Sequence, residues 1–172
     1  MPTLAELNAA TPEAFLRLIG GPLEGETWLA ERVLALRPFT TREALIRAFE
    51  HAALNATEAE QIALIASHPD LAGKAAVDGT LSAASQQEQA AAGLDRLTPE
   101  EYAQFQQFNR AYRAQFGFPF VICARENTKH TILAAFERRL TQPRSAEVAT
   151  GLAEVLKILR LRLIDHVTEE TP

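Results

Sequence analysis

Apolar residues recur along this chain at helical rather than alternating spacing, and residues that start and stop helices mark off the stretches that carry them. Eight segments can be bracketed. Thr11-Pro12-Glu13 opens one that closes at Gly20-Gly21, with proline where the first helical amide is free anyway and glycine where a left-handed turn is expected. A second covers 27–37, ahead of Pro38. Thr40 with Glu43, and Thr57 with Glu60, read as capping boxes for helices that reach Leu54 and Ser67. A shorter helix is expected over 85–92, before Gly93, and a long one over 98–116, stopped by Gly117. Helices over 128–140 and 145–167, separated by a turn at Pro143, complete the pattern.

Two of the intervening stretches, 68–79 and 117–127, are small or apolar in composition rather than simply polar. The second holds FPFVICA (118–124), the one run dense in aromatic and β-branched residues, and it is expected to be extended. Loops placed by a rigid scaffold are where binding and catalysis concentrate, so both are places to look for chemistry.

Composition fixes the class. The 172 residues include 31 alanines and 22 leucines against 14 valines and isoleucines together, a balance that favours helix over strand. The expectation is an all-α fold: a single multi-helix domain over 1–172, about eight helices, with an extended loop before the last two. A net charge of −5 argues against a nucleic-acid or anionic membrane partner, while leaving room for a small anionic substrate held by a few arginines. The single cysteine, Cys123, forms no internal disulfide, which fits a reducing compartment. The N-terminal MPTLAELNAA reads as no export signal and the terminal EETP as no lipidation or organelle address. No apolar run approaches the roughly 20 residues that span a bilayer.

Three side chains carry candidate chemistry, each with a plainer structural alternative. His68, at a helix end before Pro69, either exchanges protons with a ligand or caps the helix carbonyls. Glu88, among Ser85, Gln86, Gln87 and Gln89, is either the acid of a Ser-x-x-Glu capping box or part of a first turn that meets a ligand rich in amide-like groups. Stepping about 100° per residue along the last helix, Val148, Leu152, Val155, Leu156, Ile158, Leu159 and Leu163 form an apolar arc with Arg162 inside it. A guanidinium there pairs with a carboxylate, snorkels to the surface, or holds a substrate carboxylate in a bidentate fork. No His-x-x-x-His or Cys-x-x-Cys spacing points to a metal, and Cys123 in its apolar run reads as packing rather than as a nucleophile.

In order and spacing, HPDLAGKAA (68–76), SQQEQAAAGL (85–94), FGFPFVICARE (116–126) and KILRLRL (157–163) resemble the 2-oxo-4-hydroxy-4-carboxy-5-ureidoimidazoline (OHCU) decarboxylase family over nearly the whole chain. That resemblance implies a helical enzyme without metal or cofactor, commonly a homodimer, that acts on a small ureidoimidazoline and yields S-allantoin and carbon dioxide in urate degradation. It puts His68, Glu88 and Arg162 at the catalytic positions. Pro69, the run Ser85, Gln86, Gln87, Glu88 and Gln89, and the backbone of Phe120, Val121, Ile122, Cys123 and Ala124 fall at the substrate-contacting ones, with Phe118, Phe120 and Ile122 as candidate walls for the planar ring. Gln142 departs from an asparagine frequent in the family, and the peroxisomal ending of some eukaryotic members is missing, which favours a bacterial, cytoplasmic protein.

Two rivals remain. His68-Pro69-Asp70 is also the signature of J-domains, chaperone-binding modules that present a basic helix before it. Here 57–67 carries Glu58 and Glu60 and no Lys or Arg, which speaks against that reading. A ureide-binding protein without catalysis would use the same residues.

Overall fold

The computed structural model describes residues 1–23 and 27–169. Residues 24–26 and 170–172 lie outside it, and with them most of the EETP ending. Ten α-helices are present among the described residues: α1 (Leu4–Ala9), α2 (Pro12–Ile19), α3 (Thr27–Leu34), α4 (Arg42–Leu54), α5 (Glu58–Ala66), α6 (Lys74–Val77), α7 (Ala83–Ala91), α8 (Pro99–Phe116), α9 (Lys129–Arg139) and α10 (Arg144–His166). The same residues contain no strand, only an isolated bridge between Thr3 and Thr168, so the all-α expectation holds. The eight longer helices are the eight expected, and α1 and α6, of 6 and 4 residues, are additions. No helix among the described residues is long and apolar enough to cross a membrane.

Capping explains most helix starts. Thr11, Thr98 and Thr128 each accept a hydrogen bond from the backbone amide three residues on, and Thr57 and Glu60 close the expected box. Two caps differ from expectation. The α4 cap is Thr41, not Thr40, because Glu43 is engaged by Arg47 and Arg160 instead of returning to a cap amide. Helix α7 starts two residues early, at Ala83, capped by Ser82, whose Oγ accepts from the Ser85 amide, so Ser85 is not the cap of the expected box with Glu88. The left-handed turn expected at Gly20-Gly21 is also absent: Gly20 is right-handed (φ −64°), and the chain leaves α2 through a tight turn at Gly21–Leu23. Left-handed glycines do end α7 (Gly93, φ 83°) and α8 (Gly117, φ 82°).

The chain forms two units. The first comprises Met1–Gln61 and Leu156–Pro172. Its core is Leu7, Phe15, Ile19, Leu29, Val33, Phe49 and Leu163, all buried. Arginines satisfy the exposed helix ends: Arg37 donates to the carbonyls of Leu7, Asn8 and Ala10 after α1, and Arg42 to those of Ile164 and Val167 at the end of α10.

The second unit is Ile62–Val155. Tyr112 on α8 stands in an aromatic cluster with Phe116, Phe118, Phe120 and Phe136, and Phe120 stacks on Phe136 with centroids 3.7 Å apart. FPFVICA joins no ladder and is buried throughout. Phe118 and Phe120 therefore belong to the core by their rings rather than standing as walls of a ligand site.

Candidate functional site

His68 follows the last turn of α5, and its backbone amide donates to the Ile65 carbonyl. The ring is 9% exposed, with Nδ1 3.1 Å from the Leu64 carbonyl oxygen. A carbonyl only accepts, so Nδ1 carries the proton in that bond, and Nε2 is the ring nitrogen that this bond does not use. Ser67 Oγ donates to the same carbonyl at 2.8 Å and lies 3.4 Å from Nδ1. The capping and proton-exchange readings of His68 are thus compatible, since each uses a different nitrogen.

The loop after His68 is fastened on several sides. Asp70 accepts from Arg113, the Leu71 carbonyl from Asn109 Nδ2 at 2.9 Å, and the Ala72 carbonyl from Gln106 Nε2 at 2.7 Å. Gln89 on α7 accepts the Ala72 amide at 3.0 Å. These bonds hold Ala72 at φ 50°, a left-handed conformation that costs a non-glycine residue about 1–2 kcal/mol. Gly73 is required next to it, because a Cβ there would sit 2.7 Å from the Asp70 Cβ. Gln106, Asn109 and Arg113 lie three and four residues apart on one face of α8 and were not singled out in the sequence, where such spacing reads as a solvated face.

On α7 the predicted run divides by face. Ser85 and Gln89 are buried, Glu88 is half-buried, and Gln86 and Gln87 are exposed. Gln86 and Gln89 border a cavity of about 530 Å³ together with Ala76, Val77, Leu81 and Tyr102, whereas Glu88 does not. Burial pushes the Cys123 thiol above its ordinary range, and the Glu126, Glu154 and Glu88 carboxylates add to the shift. A thiol so held stays protonated, in keeping with a packing role.

Side chains, rather than a neighbouring strand, satisfy the backbone around 120–124. Arg139 Nη1 donates to the Val121 carbonyl at 2.7 Å, the Cys123 amide donates to Glu154 Oε2 at 2.8 Å, and Asn127 Nδ2 donates to the Cys123 carbonyl at 3.0 Å. Arg139 Nε also pairs with Glu147 Oε2 at 2.9 Å, and Tyr112 donates its hydroxyl proton to the same oxygen. Burial and the Glu147 carboxylate hold the Tyr112 phenol far above its ordinary range, outweighing the opposing pull of Arg139.

His68, Pro69, 85–89 and 120–124 all lie in the second unit. Arg162 lies in the first, buried at 5% within the apolar arc of α10, and its Nη1 donates a long, 3.5 Å bond to the Pro22 carbonyl. Val148, Leu152, Val155, Ile158, Leu159 and Leu163 on that arc are buried as well, Leu156 is half-buried, and Lys157 points to solvent.

A family model described as OHCU decarboxylase matches residues 8–164. The chain is 38% identical to a protein named 2-oxo-4-hydroxy-4-carboxy-5-ureidoimidazoline decarboxylase from Halalkalicoccus jeotgali, over 94% of this chain and 89% of that one. It is 36% identical to a protein of the same name from Haloferax volcanii, over 98% of both. Among solved structures, that of an (S)-allantoin synthase superposes with a TM-score of 0.73 at 27% identity, covering 96% of this chain and 54% of the other. An OHCU decarboxylase determined in the presence of (S)-allantoin superposes at 0.68 over 82% of this chain and 91% of its own; at 20% identity it speaks to the fold alone.

Proposed function

The chain belongs to the OHCU decarboxylase family, and on that premise we propose that it is a carboxy-lyase converting OHCU to (S)-allantoin and carbon dioxide in urate degradation. The observation that carries this reading is the match along 8–164, which takes in the His68 loop, the α7 run, the 120–124 segment and Arg162 in one stretch. We carry residues 1–172 as one OHCU decarboxylase-like domain, a homodimer and a cytoplasmic location as parts of the same proposal, and light scattering tests the dimer.

In OHCU the carbon that loses carbon dioxide bears a hydroxyl and adjoins a ring C=N bond. Electrons of the breaking C–C bond pass into that C=N, whose nitrogen takes up a proton, leaving an enol. The enol then loses its hydroxyl proton and gains a proton on the carbon bearing the ureido group. Orientation, proton transfer and electrostatic stabilisation are what this asks of protein groups. In our reading His68 exchanges the proton through Nε2, because the Leu64 carbonyl occupies Nδ1. Glu88 orients the imidazole or bonds the ureido N–H groups, and the Arg162 guanidinium holds an anionic substrate oxygen. Pro69, Ser85, Gln86, Gln87 and the 120–124 backbone supply the remaining contacts. Gln89 is already committed to the Ala72 amide, so its contribution is to hold the loop as well as to meet the ligand. Proton delivery from one face makes the product a single enantiomer.

The test is freshly generated OHCU with wild-type, His68→Ala and Arg162→Leu proteins. Both variants are expected to lose the acceleration of decarboxylation while keeping their far-ultraviolet helical signal. A folded His68→Ala protein with wild-type turnover contradicts the assignment. An Arg162→Leu protein that unfolds shows that residue to be structural.

A further inference from the structure

The Arg139, Glu147 and Tyr112 cluster is costly as a pure stability device. Glu147 is fully buried and Arg139 nearly so, and a buried ion pair commonly contributes no more to folding than apolar residues of the same volume. What distinguishes it is where its remaining donor goes: Arg139 Nη1 reaches the Val121 carbonyl, a backbone group in a buried segment that has no ladder to bond it. The guanidinium is itself fixed, by Glu147 at Nε, by the Tyr112 hydroxyl at 3.3 Å from Nη2, and by the Phe120 ring 4.3 Å below it. A second tether, Cys123 N–H to Glu154, lies two residues along. A trans peptide plane points its C=O and its N–H in opposite directions, so fixing the Val121 carbonyl turns the Ile122 N–H away from Arg139, and fixing the Cys123 amide turns the Ile122 carbonyl away from Glu154. The Ile122 donor and acceptor are thereby set, the two kinds of group that a ureido or lactam edge requires.

We propose that Arg139, locked by Glu147 and Tyr112, is a positioning residue that sets the 120–124 backbone for substrate. This rests on the functional reading above. None of the three touches substrate; they act through the Val121 carbonyl.

The discriminating variant is the triple Tyr112→Phe/Arg139→Met/Glu147→Leu, which removes the charges together and leaves no unpaired ion. It is expected to fold with unchanged helical signal. Its kcat/KM for OHCU is expected to fall roughly ten- to a hundredfold, mostly through KM, with the allantoin formed losing enantiomeric purity. Amide hydrogen exchange over 120–124 should quicken at least about tenfold, as for a segment that opens locally. A folded triple variant with wild-type KM, product handedness and exchange overturns the proposal. Should the triple variant fail to fold, Arg139→Lys serves: one ammonium cannot hold Glu147 and Val121 in the same geometry, so a rise in KM with near-normal stability supports the role and an unchanged KM overturns it. If wild-type protein leaves OHCU decay unchanged, the functional reading falls and positioning for that substrate falls with it. The exchange measurement separates that failure from a failure of the tether.

Discussion

The loop at 68–73 and the segment at 118–124 are both irregular, both in the second unit, and held in opposite ways. Neutral carboxamides fasten the first: Gln89, Gln106 and Asn109 bond the backbone of Leu71 and Ala72, with a partly exposed Asp70–Arg113 pair at the rim. Buried ions fasten the second, with Arg139 and Glu147 inside an aromatic shell. The difference follows from surroundings. A left-handed alanine needs both its amide and its carbonyl bonded, and carboxamides do this without desolvating a charge. The Val121 carbonyl lies in a buried segment without a ladder, and a charged donor, stronger than a neutral one, secures it. The first loop should therefore loosen bond by bond, and the second should fail at once.

Arg139→Ala gives the largest expected effect, since it leaves Glu147 buried and uncompensated. Removing one partner of such a pair costs about 3–5 kcal/mol, measurable by urea unfolding, and a loss under 1 kcal/mol would erase the contrast. Alkaline pH attacks the same cluster. Unfolded Tyr112 ionises near pH 10, whereas the folded phenol keeps its proton well beyond that. Unfolding therefore releases a proton above about pH 10, and stability falls as pH rises further. Tyr112→Phe should flatten that decline in a pH series of melting temperatures.

Effects at the first loop are smaller. Gln89→Ala orphans the amide of left-handed Ala72 and should cost about 1–3 kcal/mol. Asn109→Ala should fall toward the lower end of that range, because its Oδ1 is buried without a partner and removing it relieves part of the loss. Asp70→Asn should cost no more than about 1 kcal/mol, and less still in high salt, as for other partly exposed pairs. Urea titrations at low and high salt rank all three.

Much of the scaffold was legible because threonine caps and glycine stops are local signals. Where two candidate caps were adjacent or close, the outcome had different sources: at α4 a tertiary contact, Arg160, draws Glu43 away from a cap role, and at α7 a second local cap, Ser82, starts the helix ahead of Ser85. Helix α6, a single turn, is too short to show a period, whereas α1 had a readable Thr3–Glu6 capping box. Among the candidate residues, His68 stood out at a helix end before Pro69, and Arg162 as a charge inside an apolar arc. The fasteners did not. Tyr112 and Glu147 are 35 residues apart, and Gln89 and Ala72 are 17 apart, so no spacing rule joins them. Gln106, Asn109 and Arg113 look like an ordinary wet face until the loop they grip is in place.

The most direct test of the account is the circular dichroism of allantoin formed when wild-type protein is added to freshly generated OHCU. Uncatalysed decay gives racemic product with no signal. The account predicts a rapid rise of the dextrorotatory S enantiomer, in proportion to protein added; a time course that keeps the uncatalysed rate and stays racemic would contradict it.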